Sequence, residues 1–185
     1  MKTLIALGAN VKGRFGGPCR TLKEAAEWLN DGPVRLLALS RVWKSAPFGP
    51  VAQPAYFNAV AATQTSLPAA ELVKYLAVLE RRAGRRRGRP WGARALDLDL
   101  LDHDGAVCRP PGMGNRAQGL LAHRWQRRGL VLPHPGMAQR PFVLAPLAQI
   151  APDWRHPVTG RSAAQMLSML PGKLRALSHP AGNCK

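Results

Sequence analysis

Hydrophobic and polar positions follow two different periods along this chain, and each change of period marks an element. Thr3 to Leu7 is a short β-prone run closed by the turn signal Gly8-Ala9-Asn10. Leu22, Ala25, Ala26 and Leu29 recur at the helical spacing i, i+3, i+4, i+7, and Asp31-Gly32-Pro33 stops that helix. Val34, Leu36, Ala38, Ser40 and Val42 alternate with Arg35, Leu37, Leu39 and Arg41, which predicts one strand. A Pro/Gly-rich loop runs from Ala46 to Pro54. The next strand starts near Tyr56 and puts Tyr56, Asn58, Val60 and Ala62 on one face. Pro68 opens a second helix, in the first turn where proline is tolerated, and Val73, Leu76, Leu79 and Glu80 lie close together on its surface. An arginine-rich loop then leads into a strand bearing Asp97 and Asp99.

The order β-α-β-β-α-β predicts an α+β, ferredoxin-like core: an antiparallel four-stranded sheet with both helices packed on one face. Residues 105 to 130 have no convincing period and hold Pro110-Pro111-Gly112 with Arg109, Arg116, Arg124, Arg127 and Arg128, so they read as a long, mobile basic insertion. Order returns from Leu130 to Ile150, with Pro133-His134-Pro135 and a helical stretch around Phe142 to Ile150. Residues 162 to 170 add a short helix as a C-terminal helical extension. A single domain is expected over residues 1–170, with 171–185 a flexible tail, frayed from His179.

At 185 residues the chain is long enough for one good core. Its net charge of +17 is the unusual quantity, and it implies a polyanionic partner, a nucleotide or a nucleic acid. Cys19, Cys108 and Cys184 match no zinc spacing and cannot all pair, so reduced thiols in a cytoplasm are the simplest expectation. No apolar run is long enough for a signal peptide or a membrane span.

The chemistry concentrates in Arg89-Pro-Trp-Gly-Ala-Arg-Ala-Leu-Asp-Leu-Asp-Leu-Leu101. On a strand, Asp97 and Asp99 share one face while Leu96, Leu98 and Leu100 share the other. Carboxylates beside a core are costly unless paired. A divalent cation supplies one reason for them, because Mg²⁺ is held by one or two carboxylates, with waters and phosphates completing its shell. A salt-bridged pair balancing the arginines supplies another. Arg94, three residues before Asp97, starts the strand and points to the same site. For Arg81, Arg82, Arg85, Arg86, Arg87 and Arg89, a solvated basic loop accounts for most members, with one or two touching phosphate. His134 is held in an extended or turn conformation between prolines, with Arg140 six residues on. Tyr56 and Phe142 taken singly read as core aromatics. Asn58 on the face of Tyr56 is harder to read so, since a buried amide needs partners for its donors and acceptor.

Several of these segments together resemble one family, the 6-hydroxymethyl-7,8-dihydropterin pyrophosphokinases. The matching stretches are Leu7-Gly-Ala-Asn10, Ser45-Ala-Pro-Phe-Gly-Pro50, Gln53-Pro-Ala-Tyr-Phe-Asn58, Leu79-Glu-Arg-Arg-Ala-Gly-Arg85, Trp91-Gly-Ala-Arg-Ala-Leu-Asp-Leu-Asp99, Leu132-Pro-His-Pro135 and Arg140-Pro-Phe-Val-Leu-Ala-Pro-Leu147 with Ile150-Ala-Pro-Asp153. The resemblance implies a Mg-dependent diphosphokinase of folate biosynthesis that moves pyrophosphate from ATP to the pterin hydroxymethyl group and releases AMP. It implies that Asp97 and Asp99 hold two Mg²⁺ ions on the ATP phosphates. It places Arg94, His134 and Arg140 on the phosphates, Arg87 from the closing loop beside them, and Glu80 on the nucleotide side. The pterin would lie between Tyr56 and Phe142, with Asn58 and backbone groups near Ser45 and Phe48 reading its amide edge and Trp91 closing over it. The chain departs from the family pattern at Ala9, Pro90, Ala93 and Gly136, and its loop from Gly84 to Trp91 is short.

Two other readings fit parts of the pattern. An RNA-binding ferredoxin-like module would use the positive charge, but the sheet lacks paired aromatics and carries acids, so no specific nucleic acid is expected. A palm-like nucleotidyltransferase would use strand carboxylates and two metals without needing Tyr56, Asn58 and Phe142. A cytoplasmic monomer acting on ATP and the hydroxymethyldihydropterin is the expectation carried forward.

Overall fold

Strand β1 (Lys2–Ala9) runs through the middle of the sheet, antiparallel to β4 (Tyr56–Thr65) on one side and to β5 (Asp97–His103) on the other. A computed structural model describes residues 1–47, 52–85, 92–109, 129–182 and 184. The remaining strands are β2 (Val34–Leu39), β3 (Trp43–Ser45) and β6 (Ser178–Pro180). They complete a six-stranded sheet of order β5-β1-β4-β3-β6, in which β2 also pairs with β4. Helices α1 (Pro18–Asn30) and α2 (Ala69–Arg82) are those expected from the periodicity. The order β5-β1-β4-β2, with α1 and α2 in one core beneath it, is the expected α+β plan.

The period-two pattern divides the hydrophobic residues between two cores. Ile5, Leu7, Leu96, Leu98 and Leu100 point toward Leu22, Leu29, Leu72 and Leu76 of the two helices. Leu4, Val60 and Leu101 point the other way and are covered by α3 (Pro141–Ile150) through Val143, Leu144 and Leu147. Burying each such Leu contributes about 1.5–3 kcal/mol. A short 3-10 turn (Met137–Gln139) precedes α3, and α4 (Ala163–Ser168) packs beyond it behind a Ser162–Gln165 capping box. A register shift opposite Leu4 and Ile5 leaves Leu101 as the extra residue, so Asp102 pairs with Leu4 and faces the α3 side.

Four expectations change. The strand predicted from Val34 to Val42 is two strands, because the Ser40 hydroxyl accepts from the Val60 N–H at 2.9 Å in place of a main-chain carbonyl. On α2 the buried residues are Leu72, Leu76, Leu79 and Glu80, while Val73 is exposed. The tail expected to be flexible contains α5 (Gly172–Arg175) and β6, and β6 pairs with β3. A disulfide overturns the expectation of reduced thiols throughout: Cys184 is joined to Cys19 in the first turn of α1, with Cα atoms 5.6 Å apart, and Cys108 alone is free. Most of the basic insertion, 110–128, lies outside the described residues.

Candidate active site

One cross-strand row organises the site. Gly8 of β1 lies directly opposite Asn58 of β4 and, on its other side, opposite Asp97 of β5. Directly opposed residues project to the same face, so an amide and a carboxylate flank a glycine that has no side chain to fill the space between them. A Cβ on Gly8 would meet Asn58 Oδ1 at 3.5 Å and Asp97 Cβ at 3.9 Å. The cleft above this row is lined by Tyr56, Asn58, Asp97, Asp99, Arg140 and Phe142, among others. Asn58 donates from Nδ2 to Ser45 Oγ at 3.0 Å, and both residues are buried. That bond fixes the amide and turns its oxygen toward the cleft floor. The Tyr56 hydroxyl donates to Gln53 at 3.3 Å, which fixes the ring.

The carboxylate end is dense with charge. Asp97 Oδ1 accepts from Arg85 Nη1 at 2.9 Å and from Arg94 Nη1. Asp99 Oδ2 lies 3.3 Å from Arg140 Nη1 and 3.7 Å from His134 Nε2. The Gly136 N–H donates to His134 Nδ1 at 3.2 Å, which leaves Nε2 as the nitrogen that presents a proton to Asp99. Burial would push the Asp99 carboxyl up, yet His134, Arg140, Arg94 and Arg85 together hold it below the usual carboxylate range. Gly136 also has a steric role, because a Cβ there would come within 3.2 Å of the Arg140 guanidinium. Glu80 sits beneath this cluster, 7% exposed, accepting from the Leu98 N–H at 2.8 Å and from Arg85. Burial, and then the charge of Asp97, push Glu80 up to about 7 against the pull of Arg85 and the Leu98 N–H.

Ten residues singled out in the sequence meet here: Ser45, Tyr56, Asn58, Glu80, Arg94, Asp97, Asp99, His134, Arg140 and Phe142. Glu80 is turned inward, toward β5 and Arg85. Phe48, Arg87 and Trp91 lie outside the described residues. Two contributors carried no individual signal in the sequence. Arg85 bridges Glu80 and Asp97, and it was hidden among its arginine neighbours. Asn10 is buried and links the ends of the site: its N–H donates to Arg94 O at 3.0 Å, its Oδ1 accepts from the Arg94 N–H at 2.8 Å, and its Nδ2 donates to Gln53 Oε1 at 3.0 Å. Arg82 serves the core instead, with its guanidinium 4.3 Å above the Trp28 ring.

A second groove of about 400 Å³ opens beside Asp99 and His134, with walls of Ala70, Val73, Leu100, Leu130 and Val131. Apolar walls that meet a charged cluster suit a flat heterocycle carrying an anionic tail. The sheet face that a single-stranded RNA would stack upon is covered by α3 where Val143, Leu144 and Leu147 pack on it. Among the described residues, no helix is long and apolar enough to cross a membrane.

Comparisons with known proteins agree with this geometry. The family model described as 7,8-dihydro-6-hydroxymethylpterin-pyrophosphokinase matches residues 4–152. The chain is 38% identical over 128 residues to the 2-amino-4-hydroxy-6-hydroxymethyldihydropteridine pyrophosphokinase of Synechocystis, covering 69% of this chain and 56% of that protein. It is 34% identical over 171 residues to the protein of that name in Pseudomonas aeruginosa, covering 92% of each. The Plasmodium falciparum HPPK-DHPS crystal structure with pteroate shares the fold at TM-score 0.60 and 12% identity, covering 90% of this chain and 42% of that one. The chain thus spans less than half of that solved protein and about nine-tenths of the Pseudomonas relative. It belongs to the 7,8-dihydro-6-hydroxymethylpterin-pyrophosphokinase family.

Proposed function

We propose that this chain transfers pyrophosphate from ATP to the hydroxymethyl group of 6-hydroxymethyl-7,8-dihydropterin, releasing AMP, a step of folate biosynthesis. The observation that carries the reading is the row Asn58–Gly8–Asp97, which sets an amide suited to a heterocycle next to a carboxylate suited to a metal-bound phosphate. The pterin lies between Tyr56 and Phe142, with Asn58 Oδ1 accepting from its amide edge. The cleft as it stands, about 60 Å³, is smaller than the roughly 300–1,000 Å³ of a ligand site, so Phe142 and Arg140 shift as the ring enters. The adenine occupies the groove of Val73 and Leu130, which directs the phosphates across Asp99 toward Asp97.

Two carboxylates on one strand face, each beside an arginine guanidinium, fit Mg²⁺, which needs only one or two protein carboxylates when substrate phosphates supply further oxygens. Asp97 and Asp99 would hold two ions, and the metal, when bound, neutralises phosphate charge and aligns the attacking and leaving oxygens. The remaining work falls to positioning and charge stabilisation. Arg85 and Arg94 move from Asp97 to the phosphate oxygens, and Arg140 and His134 hold the phosphates from the Asp99 side. The hydroxymethyl oxygen, aimed by the clamped ring, attacks the β-phosphorus in line, and AMP departs.

The test is product identification by chromatography after incubating the protein with ATP, Mg²⁺ and the pterin. AMP formed one-for-one with the pterin pyrophosphate is expected. Release of inorganic pyrophosphate, or no AMP at all, would sink the reading.

A further inference from the structure

The cross-strand row that builds the site does not stop at β4. Trp43 of β3 lies opposite Asn58, and Pro180 of β6 lies opposite Trp43. The neighbouring row runs Tyr56, Ser45, Ser178. The tail is therefore the outermost strand of the wall that carries Ser45 and Asn58. Main-chain bonds extend the seam on both sides, from Ala46 N to Leu177 O at 3.1 Å and from Ala181 N to Val42 O at 2.9 Å.

This seam is weak by itself. Each of its strands is three residues long. Two buried polar atoms along it, Trp43 Nε1 and Ser178 Oγ, have no hydrogen-bond partner among the described residues, and such orphans cost stability. Just beyond β6 the chain is anchored covalently, through Cys184 to Cys19, across a sequence separation of 165. Both cysteines are partly exposed, within reach of a small thiol.

We propose that β6 is a positioning element for the pterin wall and that the Cys19–Cys184 disulfide is its redox-sensitive latch. With the disulfide closed, β6 holds β3, and β3 holds the Ser45 hydroxyl where Asn58 donates to it. A dithiol reductant passes two electrons and two protons to the two sulfurs, opening this bond and closing a disulfide in the reductant. Glutathione disulfide runs the reverse, releasing two glutathione thiols. With the latch open, β6 leaves the seam and the Asn58 amide loses its fixed orientation. The proposal rests on the pterin reading above for its kinetic consequence, and on geometry alone for its structural one.

The experiment compares the whole protein equilibrated with glutathione disulfide and with dithiothreitol. Alkylation by iodoacetamide, read by mass after the small thiols are removed, should leave Cys19 and Cys184 unlabelled in the first sample and label all three cysteines in the second. Amide exchange across residues 42–46 should quicken on reduction. The KM for the pterin should rise roughly five-fold, with kcat and the KM for ATP within about a factor of two, a split that general loosening of the fold would not produce. Cys184→Ser should reproduce the reduced behaviour without reductant, and Cys108→Ser should change neither state. Labelling of Cys19 and Cys184 in the oxidised sample would overturn the latch. So would freed thiols with unchanged exchange at 42–46, or an equal rise in both KM values. Absence of AMP in both states, with the exchange difference intact, would overturn the pterin reading and leave the latch standing.

Discussion

Strand β5 carries acids at both of its ends, and the two ends treat them in opposite ways. Asp97 and Asp99 lie at the start of the strand among Arg85, Arg94, Arg140 and His134. Asp102 lies at the far end and, because of the register shift at Leu101, faces the same side of the sheet. It forms no ion pair among the described residues, accepts from the Gly105 N–H at 3.2 Å, and leaves Oδ1 without a hydrogen-bond partner. Burial pushes its carboxyl above the usual range, more than the Gly105 N–H, Trp154 and His156 pull it down. Asp99 is held below that range. The same side chain on the same strand and face is held as an anion at Asp99 and is a reluctant anion at Asp102. What decides is the presence of cations, and these come from elements far apart in sequence.

The difference can be broken most forcefully by truncation. Asp97→Ala or Asp99→Ala should lower kcat/KM by roughly a thousandfold, the scale of losing a group that stabilises transition-state charge. Asp102→Ala should stay within about a factor of two in the same AMP-release assay, because it lies outside the site. Equal losses at both ends would erase the distinction. Arg140→Ala, which removes the cation nearest Asp99, should cost about a hundredfold, chiefly in the KM for ATP. Gly136→Ala, crowding the same guanidinium, should shift that KM in the same direction by about three-fold.

Smaller effects should appear in the pH dependence of stability. The Asp102 carboxyl titrates higher in the folded chain than in the unfolded one. Its contribution to stability is therefore full below the ordinary value of 3.8 and is lost as pH rises through the raised folded value. Asp99 has the opposite sign, contributing above the ordinary value and losing that contribution as pH falls through the lowered folded one. Asp102→Asn should flatten the decline from pH 3.8 upward, measured by urea unfolding midpoints. Asp99→Asn should instead remove part of the acid-side loss. A decline unchanged in the Asp102 variant would show that some other group causes it.

The sequence revealed most where a local pattern was enough. Period two placed Asp97 and Asp99 on one face, and period 3.6 placed Leu22, Ala25 and Leu29 against the sheet. Family motifs supplied Tyr56, Asn58, His134, Arg140 and Phe142. What escaped depends on side chains that meet across the fold. The Ser40 hydroxyl splits a continuous alternation by accepting from Val60, and nothing in the pattern marks that bond. Arg85 is one arginine in a run of similar neighbours, distinguished only by the position of Glu80 five residues before it and of Asp97 on β5. The disulfide joins cysteines 165 residues apart, brought together by a strand that contains a proline and a histidine and has no strand-like alternation.

The row Asn58–Gly8–Asp97 also makes the sheet a ruler. Neighbouring strands lie about 4.8 Å apart, so the separation of the Asn58 and Asp97 backbones, which on the proposed reading serve the ring and the phosphate, is set by two strand spacings of main-chain hydrogen bonds. Loop substitutions leave that backbone separation unchanged, and a rotamer change moves only the side-chain ends about it. An acceptor whose arm is one methylene longer would still seat its ring against Asn58, yet would carry its hydroxyl past the phosphorus. Discrimination by arm length would then belong to the backbone and persist through extensive change in the surrounding side chains.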